Sequence, residues 1–342
     1  MKQLSTITLT ILLTLMSTTL MAQSRHDQRK QEKEYKWVKE HQEDIVPHPD
    51  SLPLHPDARK QAPHTTAEIG TMPRPTNIDK ALASQIAQAI GEAESGAATF
   101  RGLKANTITD AARLAPFFKK LRSGRQVARV VHVGDSHIRG HVYSQQTRAV
   151  LESVFGDAAI KQRRVTYSTS GFLEESGRPG LVYQTKGING ATCKTYLPTE
   201  RIDEIAALKP DLIILSFGTN EAHNTNYSEA DHTRLLDQLT SLLKARCPQA
   251  CFLLTTSPGS YQSGKKNPRT QRVAANTVAY ASSHGMASWD MFNILGGDPY
   301  ILTNWQSRNM MAKDRVHFTN SGYTIMGKML AAAMLKAYGK EQ

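Results

Sequence analysis

Three short polar segments of the sequence contain side chains that together can carry out acyl transfer. Ser136 lies in "GDSH" directly after an aliphatic run, Asn220 lies in "GTNEAHN", and Asp314 precedes His317 by three residues in "KDRVHFTNSGY". A serine can act as a nucleophile, an amide can stabilise an oxyanion, and a histidine oriented by a carboxylate can act as a general base. If folding brings these segments to one edge, they form a complete site for ester chemistry.

The stretch "VVHVGDSHIRGH" also allows two other interpretations of Ser136. The serine can be the N-cap of a helix, or it can neighbour a metal site built from His132, His137 and His141. No acidic residue separates His137 from His141 as it does in the helix of a zinc protease, and His132 precedes the turn on a strand. We therefore predict neither a catalytic metal nor a cofactor.

The segments that must position these residues alternate between strands and helices. Four short apolar stretches predict strands, "RVVHVGD", "PDLIILSFG", "ACFLLTTSP" and "MASWDMF", and segments with helical spacing separate them. Strands that are apolar throughout are typical of a parallel sheet that is covered on both faces. The pattern predicts an α/β fold, a three-layer α/β/α sandwich with a mostly parallel central sheet, in which chemistry gathers beyond the carboxyl ends of the strands.

Four ordered blocks of the sequence resemble the signature blocks of the SGNH/GDSL hydrolase superfamily. They are Gly134-Asp135-Ser136, Gly190 in "GINGA", Gly218-Thr219-Asn220 and Asp314-Arg315-Val316-His317. The resemblance spans Ala128 to Leu335, and "HVGDSH", "SFGTNEA", "TTSPGS", "WDMFNILGG" and "DRVHFTNSGY" are similar to bacterial peptidoglycan O-acetylesterases and related surface esterases. The resemblance implies a flavodoxin-like SGNH hydrolase fold and a serine esterase.

The resemblance also implies a role for individual residues of these blocks. Ser136 would attack the ester carbonyl, His317 would take and return the proton, and Asp314 would orient the imidazole. The backbone amides of Ser136 and Gly190 and the side-chain amide of Asn220 would form the oxyanion hole.

Six further residues near these blocks are candidate substrate contacts. They are Asp135, His137, Glu221, His223, Lys265 and Lys266. Each has a competing interpretation: Asp135 shapes the nucleophile turn, His137 belongs to the scaffold, and Glu221 and His223 pack within their loop. The two lysines lie in the polar loop "SPGSYQSGKKNPR", where they either contact an anionic glycan or are solvated loop charge.

These observations favour an exported serine esterase that removes O-acetyl groups from a carbohydrate, with peptidoglycan as the first candidate. Two alternatives stay open at this point. A glycan O-acetyltransferase can use the same site with a sugar hydroxyl in place of water, and a non-catalytic basic surface module can hold an anionic polymer.

The N-terminal part of the chain predicts export and a tether. Residues 1–22 have a basic start at Lys2 and a short Thr-rich apolar run that ends at Ala22, which indicates a cleaved signal peptide. Residues 23–105 predict a polar tether that is partly disordered or helical, and residues 106–342 predict the hydrolase domain. We expect a periplasmic or cell-surface protein of a bacterium, without a stable membrane span once the signal is cleaved.

Charge and cysteine content narrow the set of partners. The formal net charge is +12, and the basic excess lies in the C-terminal part of the chain. This excess indicates either an anionic partner, such as a cell-wall polymer, acidic glycan or lipid head group, or solvated lysines that only aid solubility. No polybasic block or interleaving of arginine with aromatic residues indicates nucleic-acid binding. Of the three cysteines, Cys247 and Cys251 can form a local bridge or remain as buried thiols, and Cys193 is left over.

Overall fold

The computed structural model describes residues 80–161 and 172–340. The predicted signal peptide, the predicted tether up to residue 79 and the segment 162–171 lie outside the described residues. All described residues belong to one compact unit of the chain.

A five-stranded parallel sheet forms the centre of this unit, with the strand order β4-β1-β5-β6-β9. The strands are Val127–Gly134 (β1), Ala159–Lys161 (β2), Phe172–Glu175 (β3), Gly180–Gly187 (β4), Leu212–Ser216 (β5), Cys251–Thr255 (β6), Tyr261–Gln262 (β7), Lys265–Lys266 (β8) and Ala287–Trp289 (β9). The pairs β2-β3 and β7-β8 form two small antiparallel sheets. The order of the five central strands is that of flavodoxin-like folds, which confirms the predicted parallel α/β architecture.

Strands β1, β5 and β6 are mostly apolar, as expected where both faces of the sheet are buried. On β1, the side chains of Ala128 and Val130 belong to one hydrophobic core, whereas those of Val131 and Val133 belong to the other. Successive side chains of a strand point to opposite faces, so an alternating sequence would leave polar groups in one of the two cores.

Helices cover both faces of the sheet. They are Lys80–Ala97 (α1), Ala115–Ser123 (α2), Ser136–Arg139 (α3), Val142–Phe155 (α4), Thr199–Ala206 (α5), Thr219–His223 (α6), Glu229–Arg246 (α7), Arg269–Ser283 (α8), Met291–Ile294 (α9), Gly297–Gln306 (α10) and Asn320–Lys340 (α11). Core residues of α1, α2, α4 and α11 pack on one face, and those of α5 and α7 pack on the other. The result is the predicted three-layer α/β/α sandwich.

Helix α1 belongs to the same core as the rest of the unit. The sequence places a short helix in this part of the tether, and the structure contains it over Lys80–Ala97. Its residues Ile86 and Ala97 are buried in the core that also contains α11. Helix α1 is thus packed in the structure, and the domain boundary at residue 106 stays a prediction.

Two further observations concern membrane-spanning helices and the cysteines. Within residues 80–161 and 172–340, no helix combines the length and the apolar character that a membrane span requires. The described part of the chain includes Cys193, Cys247 and Cys251, and all three are buried thiols that form no disulfide. Of the two interpretations of Cys247 and Cys251, the structure therefore contains the one without a bridge.

Candidate active site

Ser136, His317 and Asp314 form a continuous series of hydrogen bonds at the carboxyl edge of the sheet. The Oγ of Ser136 lies 2.9 Å from Nε2 of His317, and Nδ1 of His317 lies 2.6 Å from Oδ2 of Asp314. In the tautomer that donates its Nδ1 proton to Asp314, the imidazole presents Nε2 as the acceptor for the Ser136 hydroxyl. The structure brings together the three residues that the sequence predicts as nucleophile, base and orienting carboxylate.

The loop before α11 fixes the Asp314 carboxylate for this contact. Its Oδ1 accepts the backbone N–H groups of Val316 and His317, each at 3.0 Å. Burial acts to raise the pKa of Asp314, but the hydrogen bond and charge of His317, together with these backbone amides, outweigh it and lower the pKa to about 2. Asp314 is therefore ionised at neutral pH and can stabilise a protonated His317.

Ser136 is placed by a tight turn between β1 and α3. Oδ1 of Asp135 accepts the backbone N–H of His137 at 2.9 Å and so caps the helix that begins at Ser136. A Cβ on Gly134 would lie 2.6 Å from the carbonyl oxygen of Ser216 on β5, so only glycine fits before the turn. Asp135 is buried, and burial is the main cause that raises its pKa to about 7. The structure thus places Asp135 inside the nucleophile turn.

Asn220 and Gly190 come to the same edge from the two strands that flank β1. Asn220 lies at the start of α6 after β5, and its Nδ2 donates to the carbonyl oxygen of Ala191 at 3.0 Å. The same Nδ2 lies 3.4 Å from Oδ2 of Asp135 in the nucleophile turn. Gly190 lies in the turn after β4 with a φ of 69°, a conformation that favours glycine. The structure thus gathers the three loops that carry the predicted oxyanion donors.

Glu221 is buried beneath these loops. Its Oε1 accepts the backbone N–H of Cys193, and its Oε2 accepts the backbone N–H of Gly218, both at 2.9 Å. Burial is the main cause that raises the pKa of Glu221. Of the two interpretations that the sequence allows, the structure contains the one in which Glu221 packs within its loop.

His137 lies behind His317. Its Nδ1 is 2.9 Å from the hydroxyl of Tyr323, its Nε2 is 3.1 Å from Oγ1 of Thr219, and its ring centroid is 5.3 Å from that of His317. Burial, followed by the charge of His317, lowers the pKa of His137 to about 3. Both ring nitrogens of His137 thus contact hydroxyl groups of the protein, and this favours the interpretation of His137 as a scaffold residue.

The remaining candidate contacts lie around the β7-β8 hairpin. The hairpin adjoins the loop that carries Asp314 and His317, because the backbone N–H of Tyr261 donates to the carbonyl oxygen of Arg315 at 3.0 Å. Nε2 of His223 lies 2.9 Å from Oγ of Ser260. Lys265 is exposed, and Nζ of Lys266 lies 2.5 Å from Oδ2 of Asp298. Lys266 therefore forms an ion pair within the protein, and a contact between Lys265 and a substrate stays a prediction.

Of the three histidines that suggested a metal site, His132 and His137 have other side-chain partners. His132 on β1 lies with Nδ1 2.7 Å from the Tyr183 hydroxyl and with Nε2 2.6 Å from Oγ of Ser216. His137 and His141 do not share a helix, since α3 ends at Arg139 and His141 precedes α4 with a φ of 57°. The geometry that a shared metal would need is not formed by these three residues.

A different buried cluster contains side chains of the types that bind metal ions. Potential ligand atoms of Cys193, Glu221 and His232 lie within 4.8 Å of one another. Both oxygens of Glu221 already accept backbone amides, and Nδ1 of His232 lies 3.2 Å from the hydroxyl of Tyr227. Hydrogen bonds within the protein therefore account for much of this cluster.

Sequence reasoning missed two residues that hold the site together. The hydroxyl of Tyr196 donates to the carbonyl oxygens of Lys186, at 2.7 Å, and Gly134, at 3.1 Å, and thereby fastens β4 to the nucleophile turn. Tyr323 orients His137, as described above. Tyr323 lies in "DRVHFTNSGY", a stretch that resembles the family, so the sequence could have indicated it. Tyr196 lies in an irregular segment that shows no recognisable pattern.

A serine, a histidine and an aspartate in series at the carboxyl edge of a three-layer α/β/α sandwich is the arrangement of a serine hydrolase. The model of the GDSL-like lipase/acylhydrolase family matches residues 132–325, which is more than half of the chain. The chain therefore belongs to the GDSL-like lipase/acylhydrolase family, within the SGNH/GDSL hydrolase superfamily, and is a carboxylic ester hydrolase.

Comparison with solved structures supports the fold. The chain is similar to a peptidoglycan O-acetylesterase with a TM-score of 0.58 and 21% sequence identity, over 68% of this chain and 99% of that chain. Two other similar structures have TM-scores below 0.5. A catalytic mutant of the acetylxylan esterase Axe2 from Geobacillus stearothermophilus has a TM-score of 0.43 and 16% identity, over 63% of this chain and 95% of that chain. A GDSL-like lipase from Bacteroides thetaiotaomicron has a TM-score of 0.40 and 19% identity, over 67% of this chain and 100% of that chain. A search of curated proteins by sequence gives no significant match.

Proposed function

We propose that this ester hydrolase removes O-acetyl groups from a carbohydrate outside the cytoplasm, with peptidoglycan as the first candidate substrate. The observation that carries the proposal is the series of contacts from Ser136 through His317 to Asp314, at 2.9 and 2.6 Å. These distances allow proton transfer from the hydroxyl to the imidazole without a rearrangement of the loops.

The reaction follows from this geometry in two halves. Ser136 Oγ attacks the acetyl carbonyl while its proton passes to Nε2 of His317, and the carbonyl oxygen becomes an oxyanion. The amides of Ser136 and Gly190 and the side chain of Asn220 stabilise that charge, and Asp314 stabilises the imidazolium. Collapse breaks the bond to the sugar oxygen, which leaves with the proton from His317, and the acetyl group remains on Ser136.

Water completes the cycle by the same route. His317 removes a proton from a water molecule as the oxygen attacks the acetyl carbonyl of the acetyl-enzyme. The second tetrahedral oxyanion occupies the same donors, and its collapse returns the proton to Oγ of Ser136 and releases acetate. No step needs a metal or a cofactor, since the side chains named here supply each proton transfer and each charge.

Two observations support an acetylated glycan as the substrate. The fold is similar to that of a peptidoglycan O-acetylesterase, and the residues around the four signature blocks resemble the same subfamily. A predicted signal peptide over residues 1–22 supports an action outside the cytoplasm, where cell-wall glycans are found.

Acetate release by the full chain tests the proposal. The parent protein and Ser136→Ala are compared on O-acetylated peptidoglycan, acetylated xylan, an acetylated acidic polysaccharide and a small acetyl ester. We expect Ser136→Ala to lose acetate release on every substrate, whereas Ser153→Ala, an exposed serine on α4, retains it. Equal release by Ser136→Ala and the parent would show that the nucleophile is assigned wrongly.

The same experiment separates hydrolysis from transfer. An acetyltransferase would move the acetyl group to an added acceptor glycan in preference to water, so mass spectrometry of the acceptor would detect new acetyl groups. We expect free acetate to account for the acetyl groups lost from the donor.

A further inference from the structure

A cleft opens beside the proposed nucleophile, between the end of β4 and the start of α5. Its volume is about 560 Å³, which falls within the range of small-molecule binding sites. Its walls include Lys186, Gly187, Ile188, Pro198, Arg201 and Glu204. None of these residues is a member of the Ser136, His317 and Asp314 series, so the cleft is a separate feature of the same edge.

The wall formed by β4 is packed directly on the element that carries Ser136. Gly187 is the ladder partner of Gly134, and the backbone N–H of Ile188 donates to the carbonyl oxygen of Gly134 at 3.2 Å. A Cβ on Gly187 would lie 2.3 Å from the backbone nitrogen of Arg139 in α3. This wall of the cleft therefore packs directly against α3, the helix that begins at Ser136.

The same stretch of backbone also leads to the proposed oxyanion hole. Two residues after Ile188, the chain reaches Gly190, whose amide we propose as an oxyanion donor. The cleft and the oxyanion loop share this one segment of backbone, so a substrate alcohol that extends along the segment from Ser136 would reach the cleft. A substrate with a bulky alcohol, such as a glycan, can occupy both at once.

The chemistry of the cleft suits a sugar ring. The backbone and side chains of Gly187, Ile188 and Pro198 supply an apolar surface for the C–H groups of a pyranose. The rim adds charged side chains that bond well to hydroxyl groups. Lys186 and Arg201 are basic, Glu200 and Glu204 are acidic, and Nζ of Lys186 lies 3.4 Å from Oε2 of Glu204.

The balance of charge on the rim decides between two kinds of glycan. Two basic and two acidic side chains cancel, so the local field favours neither a polyanion nor a polycation. The basic excess of the whole chain is not concentrated here. The rim therefore favours recognition through hydroxyl groups over recognition through a row of carboxylates or phosphates.

We infer that this cleft binds an uncharged sugar unit that adjoins the acetylated sugar, and so holds the glycan chain while its acetyl group lies at Ser136. The inference rests on the proposed function and adds a binding subsite to it. Among its polar members, Arg201 is half-buried and Glu204 is exposed, and neither belongs to the series of Ser136, His317 and Asp314.

Two variants test the subsite in the full chain. Arg201→Ala removes a hydrogen-bond donor from the rim, and Glu204→Trp fills the cleft from a surface position on α5. Arg234→Ala, which removes an exposed arginine of α7 paired with Asp231, is the matched control. Values of kcat and KM are measured on acetylated, uncharged oligosaccharides, on an acetylated acidic polysaccharide and on a small acetyl ester.

We expect KM on the uncharged oligosaccharide to rise by about tenfold for Arg201→Ala, the effect of one lost hydrogen bond to a charged group. We expect it to rise for Glu204→Trp at least as much, because the indole ring occupies the space of the sugar. We expect kcat/KM on the small ester to stay at the parent value, and the control to match the parent on all substrates. Unchanged KM values on the oligosaccharide would overturn the subsite while the parent's acetate release upholds the proposed function. Equal losses on the small ester would also overturn it, because they would show an effect on the nucleophile turn.

Two further results would be decisive. An increase in KM that is confined to the acidic polysaccharide would make the cleft an anion site and overturn the assignment of an uncharged sugar. A parent protein that hydrolyses the small ester but releases no acetate from any glycan would overturn the proposed function, and the subsite with it.

Discussion

One carboxylate oxygen of Glu221 accepts the backbone N–H of Cys193 at 2.9 Å and so ties the segment after β5 to the loop after β4. The other oxygen accepts the backbone N–H of Gly218, on the same segment as Glu221 itself. The loop after β4 contains Gly190, and the segment after β5 contains Asn220. These are the two proposed oxyanion donors outside the turn at Ser136. The distance between these donors therefore depends on a carboxylate that does not face the substrate.

Replacement of Glu221 by glutamine tests this relationship. Glu221→Gln keeps the shape of the side chain but directs an NH₂ group at one of the two backbone N–H groups, and two donors then face each other. We expect kcat on a small acetyl ester to fall by about tenfold to 100-fold with little change in KM, because displaced donors stabilise the oxyanion less well.

Glu229→Gln is the matched control for this prediction, since Glu229 lies on α7 in an exposed ion pair with Arg272. It should retain the parent kcat. A proportional loss of kcat and of the folded fraction in Glu221→Gln, measured by circular dichroism at the assay temperature, would show that the residue acts on stability alone.

Removal of the Asn220 side chain tests the oxyanion hole directly. We expect Asn220→Ala to lower kcat by about 10² to 10³, the usual effect of losing one oxyanion donor, and to leave KM for a small acetyl ester nearly unchanged. Steady-state kinetics on that ester measure both constants. Asn226→Ala, at an exposed loop position, serves as the control. A normal kcat in Asn220→Ala would remove this side chain from the oxyanion hole.

The Asp314 carboxylate is expected to act through the orientation and charge of His317. Asp314→Asn should lower kcat by about 10³ to 10⁴, because the amide cannot stabilise the imidazolium as the carboxylate does. The pKa of Asp314 is lowered to about 2, so this carboxylate stays ionised from about pH 4 upward. Protonation of Asp314 is thus not expected to cause any loss of parent activity between about pH 5 and about pH 8. A parent-like kcat for the variant in this range would indicate that His317 functions without the aspartate.

The buried His132 is expected to make the fold sensitive to acid. Burial lowers its pKa from 6.5 to about 3, so the unfolded chain binds a proton near pH 6.5 that the folded chain does not bind. The stability that neutral His132 contributes is therefore complete above pH 6.5 and is lost as the pH falls toward 3.

His132→Gln isolates this contribution. Glutamine removes the titrating group, so the difference in the free energy of unfolding between parent and variant should narrow by up to about 1.4 kcal/mol for each pH unit below 6.5. Urea unfolding from about pH 7 to about pH 4 measures the difference, and all other buried histidines cancel in it. A difference that stays constant over this range would rule out His132 as a source of acid sensitivity.

Several elements were predictable from the sequence because one physical pattern dominates them. Strands β1, β5 and β6 are apolar on both faces, which is typical of the centre of a parallel sheet. The turn at Ser136 and the pairing of Asp314 with His317 were also predictable, because each depends on residues within three positions of one another.

Other elements were not predictable, because their residues depend on distant partners. Strand β4 lies at the edge of the sheet and ends in Gln184, Thr185 and Lys186, so its sequence lacks a continuous apolar run. The position of Glu221 beneath two loops depends on contact with Cys193, and a polar residue after a strand does not show whether its side chain turns inward. The ion pair between Lys266 and Asp298 likewise joins separate parts of the chain.

The three buried thiols make the described protein suitable for site-specific labelling. Burial raises the pKa of Cys193, Cys247 and Cys251, and the thiolate is the form that reacts with maleimides. A cysteine introduced by Glu200→Cys at the rim of the cleft would therefore be the fast-reacting thiol of the chain. A fluorophore attached there would report glycan binding by a change in emission, independently of ester cleavage. The native cysteines would not need to be replaced first, because all three are buried.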